Sequence, residues 1–201
     1  MANGKVIVGF SHPWVAVYSN SGSSVSYTGG MALARGVSVS IEVSEPESNP
    51  FYADDTIAED VPSTFTGGTV TLTVDGLKEA ARRLIYGLPT ASSVTVDGQQ
   101  VAVEDYGAAM EIPYVGIGFL ICYMEDGVES WAPVLLTKGK FSPSNTVAAT
   151  RAGVVEWQTE ELKATLSRDD SDARNWKRIA EDQASEAAGE AVLKTLLGVT
   201  A

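Results

Sequence analysis

The strongest constraint on this chain is an alternation of apolar and polar residues with a period of two. In one segment the apolar positions are Val37, Val39, Ile41 and Val43. Because successive side chains of a β-strand point to opposite faces, this pattern predicts a strand with one buried face. The same period recurs at residues 69–74 and 115–123. Many short strands separated by turns predict a mainly β fold, either a sandwich or a barrel.

Two local features refine this β pattern. Asp97-Gly98 joins two short valine-containing segments, which predicts a tight β-hairpin. Gly116 and Gly118 lie on one face of the strand predicted at residues 115–123. Because glycine has no side chain, we expect a neighbouring backbone or ring to approach this face closely.

The sequence also predicts two helices. Residues 76–88 place apolar side chains at the spacing of an amphipathic helix, and Asp75 is a suitable cap for its start. A second helix is predicted at about residues 179–197. Its stripe of small side chains is Ala180, Ala184, Ala187 and Ala191. We expect a β domain at residues 1–168, and a C-terminal extension at residues 169–201 whose helix packs on as an appendage.

Charge and composition exclude several classes of function. The chain has 26 Asp and Glu against 14 Lys and Arg, a net charge of -12, which disfavours counterion release from DNA or RNA. The single cysteine, Cys122, excludes an internal disulfide, and the single histidine, His12, leaves no imidazole pair for a metal. No apolar stretch approaches the roughly 20 residues of a membrane span, and the first residues lack a signal-peptide pattern. We therefore expect folding in a reducing cytoplasm without a membrane anchor.

No set of residues predicts an active site. His12 could act as a base for Ser11, but adjacent side chains rarely point at each other, so we interpret His12 as an ordinary loop residue. The acidic pairs at residues 54–55 and 59–60 offer oxygen ligands but lack the spacing of a calcium loop. Cys122 lies in an apolar predicted strand, so we interpret it as a small buried residue. We predict no enzymatic activity, no cofactor and no metal.

One long segment stands out as functional. Residues 44–63 lack periodicity and are rich in proline and acidic residues. Loops of this length are uncommon inside compact domains and tend to carry function. The segment also contains the aromatic pair Phe51-Tyr52. Aromatic side chains are frequent anchors of protein interfaces.

Three parts of the chain together carry a resemblance to a known family. An alternating strand runs into the acidic motif Asn-Pro-Phe-Tyr-Ala-Asp-Asp at residues 49–55, a Thr-Gly-Gly strand precedes the first helix, and a Lys-Gly-Lys-Phe-Ser-Pro segment precedes Val-Glu-Trp-Gln-Thr. These parts are residues 38–60, 65–72, and 138–143 with 155–159. Their order and spacing over residues 9–166 resemble the major tail proteins, or tail tube proteins, of long-tailed (siphovirus-type) phages of Gram-positive bacteria. The chain beyond Trp176 departs from the family pattern.

The resemblance implies two packed antiparallel sheets with a flanking helix, and hexameric rings that stack into a hollow tube for DNA ejection. It implies a virion protein assembled in the host cytoplasm, whose partners are its own copies, a tape measure protein, a tail terminator and distal tail proteins. An acid-rich wall would let DNA pass without specific binding. Because a shift of one residue exchanges the two faces of a strand, the pattern leaves open which acids face the lumen.

By the same analogy, residues 44–63 are an arm that reaches a neighbouring subunit. The interface residues expected on this arm are Glu45, Glu47, Phe51, Tyr52, Asp54 and Asp55. The alternative is a β-sandwich module that binds carbohydrate or another protein through its tryptophans. These are Trp14, Trp131, Trp157 and Trp176, for which a role as core or interface anchors is the more frequent one.

Overall fold

The computed structural model describes residues 4–44, 51–54, 56–59, 65–143, 148–150, 153 and 157–199. The strands are β1 Val6–Ser21, β2 Ser24–Ala32, β3 Gly36–Ser44, β4 Phe51–Ala53, β5 Thr56–Glu59, β6 Gly67–Val74, β7 Ser92–Val96, β8 Gln99–Val103, β9 Val115–Glu125, β10 Val128–Phe141, β11 Glu160–Ser167 and β12 Lys177–Ile179. The helices are α1 Glu79–Tyr86 and α2 Glu186–Leu196. With 53% strand and 11% helix, the expectation of a mainly β fold is confirmed.

Eight strands form one antiparallel sheet in the order β2-β1-β9-β10-β11-β6-β3, with β12 also paired to β10. The pairs β4–β5 and β7–β8 form two further, separate sheets. β10 changes partner along its length, from β12 at Val134–Leu136 to β11 at Lys138–Phe141. Its register with β9 shifts between these two stretches. An irregularity of this kind bends a strand, so one sheet supplies two facing layers.

The two layers share one core. Val15, Phe119 and Val134 come from β1, β9 and β10, and they belong to the same buried cluster as Leu72 of β6 and Leu162 of β11. All five side chains are fully buried. The predicted packing of two antiparallel layers, with a flanking helix and a C-terminal helix, is therefore confirmed.

The first helix is shorter than the predicted span of residues 76–88. α1 begins after Lys78, whose side chain makes no capping hydrogen bond, and it ends at Gly87. Asp75 does not cap the helix, because its carboxylate accepts hydrogen bonds from the backbone N–H and side chain of Arg35. Asp75 therefore ties the start of β3 to the end of β6.

Gly87 gives a sharp test of local packing. We expect Gly87→Ala to destabilise the protein more than Gly22→Ala, although both glycines have a positive φ, 56° and 61°. A Cβ on Gly87 would lie 1.9 Å from the carbonyl oxygen of Glu111, whereas nothing lies within 4 Å of a Cβ on Gly22. The left-handed backbone costs about 1 kcal/mol in both variants, and the clash adds roughly 2 kcal/mol at Gly87 alone. Denaturant titrations measure the difference, and equal losses would contradict the close approach.

The second helix also differs from its prediction at residues 179–197. α2 begins at Glu186, where the side chain of Ser185 caps it by accepting a hydrogen bond from the N–H of Ala188 (3.2 Å). The preceding chain pairs with β10 instead, as β12 and then through two backbone hydrogen bonds between Gln183 and Trp131. Residues 177–183 therefore pair along the edge of β10 and do not start the helix. This pairing satisfies backbone N–H and C=O groups that the first turn of a helix would leave without partners.

α2 buries a different face from the predicted alanine stripe. Ala187 and Ala191 are exposed, whereas Gly189, Leu193 and Leu197 are buried. Leu193 and Leu197 form a second cluster with three side chains on the outer face of the sheet, which are Ala16, Leu120 and Leu135. The C-terminal helix is therefore packed on the sheet, and the division of the chain at residue 168 stays a prediction.

The glycine face predicted on β9 accepts this helix. A Cβ on Gly118 would lie 2.6 Å from Cδ1 of Leu193, and a Cβ on Gly116 would lie 2.5 Å from the ring of Tyr27. The expected close approach is confirmed, and its partners are a tyrosine ring and the leucines of α2. Because the glycines leave room, the leucine side chains pack directly against the β9 backbone.

Candidate self-assembly surface

The two ends of the arm at residues 44–63 lie close together on the sheet. It connects β3 to β6, which are neighbours in the sheet and pair Ser44 with Gly67. Thr66 donates two hydrogen bonds to the carbonyl oxygen of Ser44, from its backbone N–H (3.2 Å) and from its hydroxyl (2.8 Å). The arm therefore leaves the sheet and returns to it at neighbouring positions of β3 and β6.

Within the arm, β4 and β5 pair with each other as a separate two-stranded sheet and with no other strand of the described residues. Phe51 and Tyr52 lie on β4, and Asp54 lies at the turn that follows, exposed and with a φ of 50°. A positive φ is tolerated by aspartate at tight turns. The other predicted interface residues, Glu45, Glu47 and Asp55, lie outside the described residues.

The predicted hairpin at Asp97-Gly98 is confirmed as β7 and β8. Both turn residues have positive φ, 50° and 80°, as a two-residue hairpin turn requires. Val94, Val96 and Val101 share one face of the hairpin and are 49%, 52% and 46% exposed. Sequence reasoning missed this exposure, because alternation predicts an apolar face but does not say what covers it.

Other strand surfaces are also open. β2 and β3 are the end strands of the sheet, so their outer edges have no strand partner within the described chain. Val6, Ile7 and Val128 are exposed at the end of the sheet where β1, β9 and β10 project. Unpaired edges and exposed apolar patches are the surfaces through which β proteins associate.

Ser11 and His12 do not form a nucleophile–base pair. The hydroxyl of Ser11 donates to Glu186 (2.6 Å), while Nε2 and Nδ1 of His12 lie 3.3 and 3.4 Å from Glu186 and Glu190. Burial alone would raise the pKa of Glu190, but a hydrogen bond from Lys194 and the neighbouring His12 hold it below its ordinary value. These groups tie β1 to α2, which gives them a structural role.

The other residues considered for a functional site, Cys122 and the four tryptophans, do not come together in one place. Burial raises the pKa of the Cys122 thiol, which makes it a poor nucleophile. Trp176 stacks on Phe65 with ring centroids 4.6 Å apart, and Trp14 and Trp131 pack beside α2. Trp157 is 90% exposed. The four tryptophans therefore do not form a shared platform.

Across residues 4–44, 65–143, 157–199 and the short described pieces between them, no group of three or more His, Cys, Asp or Glu is placed to hold a metal ion. In the same part of the chain, no helix has the length and apolar character needed to cross a membrane. No protein-family model matches the chain, and no curated protein matches it.

Proposed function

We propose that this protein is a structural subunit that assembles with its own copies into stacked rings, which form the tail tube of a long-tailed phage. The observation that carries the proposal is the arm: its two ends are held together by the hydrogen bond from Thr66 to Ser44, and its described strands β4 and β5 form a sheet of their own. An isolated two-stranded hairpin is only marginally stable in water. A second surface that receives the arm would supply the missing stabilisation.

The open edges of β2 and β3 support lateral assembly. A row of unpaired backbone groups is a template for another strand, and a closed ring removes such edges by pairing the end strands of neighbouring subunits. The tape measure protein and the terminator and distal tail proteins are the further partners that the resemblance implies. By the same resemblance the ring is a hexamer.

The net charge of -12 supports a role as a conduit. DNA passing through a tube must not be held by its phosphates, and acidic side chains repel them. In this proposal the absence of affinity for DNA is itself the useful property.

One observation favours a second candidate, a binding module. Trp157 is 90% exposed, and a large aromatic side chain in that setting is typical of a contact site for a sugar or protein. A glycan array tests the carbohydrate-binding form of this candidate: a sugar-binding module binds a glycan and loses it on Trp157→Ala, whereas a tube subunit binds no glycan.

Electron microscopy tests the tail tube proposal directly. Negative-stain images of the purified protein over a wide concentration range should show rings or tubes of one diameter, and immunogold labelling should decorate the tails of virions that contain it. Mass photometry of the same samples gives the number of copies in a ring, expected to be six. A monomer at all concentrations, absent from tails, would refute the proposal.

A further inference from the structure

The β7–β8 hairpin is a small amphipathic sheet whose apolar face is open to solvent. Every residue from 92 to 102 is exposed. Val94, Val96 and Val101 lie on one face, and Thr95 lies on the opposite, polar face. A sheet of only two strands is marginally stable in water, so this hairpin would gain stability from pairing with a further strand.

The base of the hairpin is fixed to the first helix. The carboxylate of Glu104, just after β8, lies 3.1 Å from Nε of Arg83 and 3.9 Å from Nη1 of Arg82. Each strand of the hairpin has five residues, which span about 17 Å at the usual rise of a strand. The valine face is therefore held on a short support with a fixed base.

The end strand β3 has the same alternation and an open edge. Val39 and Ile41 lie on the core side of the sheet, but they are only partly buried. Val43, further along the same face, is 43% exposed, whereas Ser40 lies on the polar face. Within the described chain no strand pairs with the outer edge of β3, so its apolar row is incompletely covered.

We propose that the β7–β8 hairpin of one copy of the chain pairs with the open edge of β3 in a second copy. The inference rests on the proposed self-assembly and names the element that meets this edge. With the apolar faces on the same side, Val94 and Val96 would extend the row formed by Val39 and Ile41. Main-chain hydrogen bonds give such strand addition its affinity, and the alternating side chains fix which face is buried.

The fold favours a second copy over the chain's own strand. Within one molecule the hairpin and β3 belong to separate sheets, and the hairpin is fixed to α1 through Glu104. Each copy carries one hairpin and one β3 edge, so the contact is heterologous and can repeat around a ring. Packing of one hairpin on another would bury the valines but leave the edge of β3 unpaired.

Lysine substitutions on the two faces of β7 test the inference. Val94→Lys and Val96→Lys should each raise the concentration needed for assembly at least about tenfold, because a charge then replaces a valine in an apolar contact. Thr95→Lys is the matched control, since it adds the same charge to the same strand on the polar face. It should assemble like the wild type. Sedimentation and electron microscopy measure assembly, and thermal melting confirms that each variant is folded.

Crosslinking between two copies locates the partner strand. In a Cys122→Ala background, a Ser40→Cys protein is mixed with a Thr95→Cys protein and treated with a bismaleimide. Both positions are exposed and lie on the polar faces, which would be neighbours on one side of the joined sheet. A covalent dimer should form in the mixture. Ser26→Cys on β2, the other end strand, is also exposed and should not crosslink to Thr95→Cys.

Normal assembly of the two valine variants, or an equal loss in Thr95→Lys, would overturn the inference and leave the tube proposal standing. Crosslinking of Thr95→Cys to Ser26→Cys or to itself, in place of Ser40→Cys, would also overturn it. A wild-type protein that never assembles would defeat both proposals.

Discussion

Deletion of residues 46–59 is expected to abolish assembly while the protein still folds and melts close to the wild-type temperature. The deletion removes β4 and β5, which form a sheet of their own, and it leaves in place every side chain of the two buried clusters that the structure describes. The base of the arm survives, because Thr66 still donates to Ser44 and β3 still pairs with β6. A shorter connection between paired strands also lowers the entropy of loop closure.

The measurement is electron microscopy of the variant beside a melting curve followed by circular dichroism. A second variant replaces residues 46–59 with a Gly-Ser segment of equal length, and it should also fail to assemble, which separates the loss of side chains from the shortening of the chain. If tubes form from either variant at wild-type concentrations, the arm is not the assembly element. If the deletion unfolds the protein, the separation of the arm from the core is wrong.

The substitution Ile85→Asp is expected to unfold most of the protein. Ile85 lies on α1, is fully buried, and belongs to the central cluster together with Leu72 and Phe119. The change removes a buried apolar side chain and leaves a carboxyl group there without a designed partner, at a cost of about 4 kcal/mol or more. The free energy of unfolding of a domain is commonly only about 5–15 kcal/mol, so a loss of this size leaves a large fraction of the molecules unfolded or close to unfolding.

Leu84→Asp is the matched control. Leu84 is adjacent in sequence and packs against the same cluster, but its side chain is only partly buried, so an aspartate there keeps contact with water. Urea titrations of both variants should give a clearly larger loss of unfolding free energy for Ile85→Asp. Equal losses would show that α1 does not pack as described, and a wild-type midpoint for Ile85→Asp would contradict its burial outright.

These two neighbours show where helix prediction from a pattern reaches its limit. Periodicity places Leu84 and Ile85 on the same apolar stripe, yet only contact with the sheet makes one of them fully buried. In α2 the difference is larger, because a helix carries several candidate stripes and the alanine stripe contains Ala187 and Ala191, which face solvent. The buried stripe is the one whose leucines fit over Gly116 and Gly118.

The candidate site also contains one part that the sequence identifies and another part that only the structure shows. The segment at residues 44–63 could be singled out from the sequence because its length and composition are local properties of one stretch of chain. Its role as an arm stays a prediction, and the structure places Asp54 at the turn between β4 and β5. A surface cleft lined by Tyr114, Lys140 and Ser167 was not predictable, because these residues come from three different parts of the chain and meet only after the strands pair.

The sequence by itself determined the strand-rich character of the protein, the tight turn at Asp97-Gly98 and the presence of two helices, since these follow from side-chain periodicity and the backbone preferences of turn residues. Only the tertiary structure decided that one sheet folds over to make two layers, that residues 177–179 join β10 as a strand, and that Leu193 and Leu197 pack over the glycines of β9. The physical reason is that local rules act between residues a few positions apart. Burial and pairing depend on which distant segment occupies the adjoining space, and no local pattern carries that information.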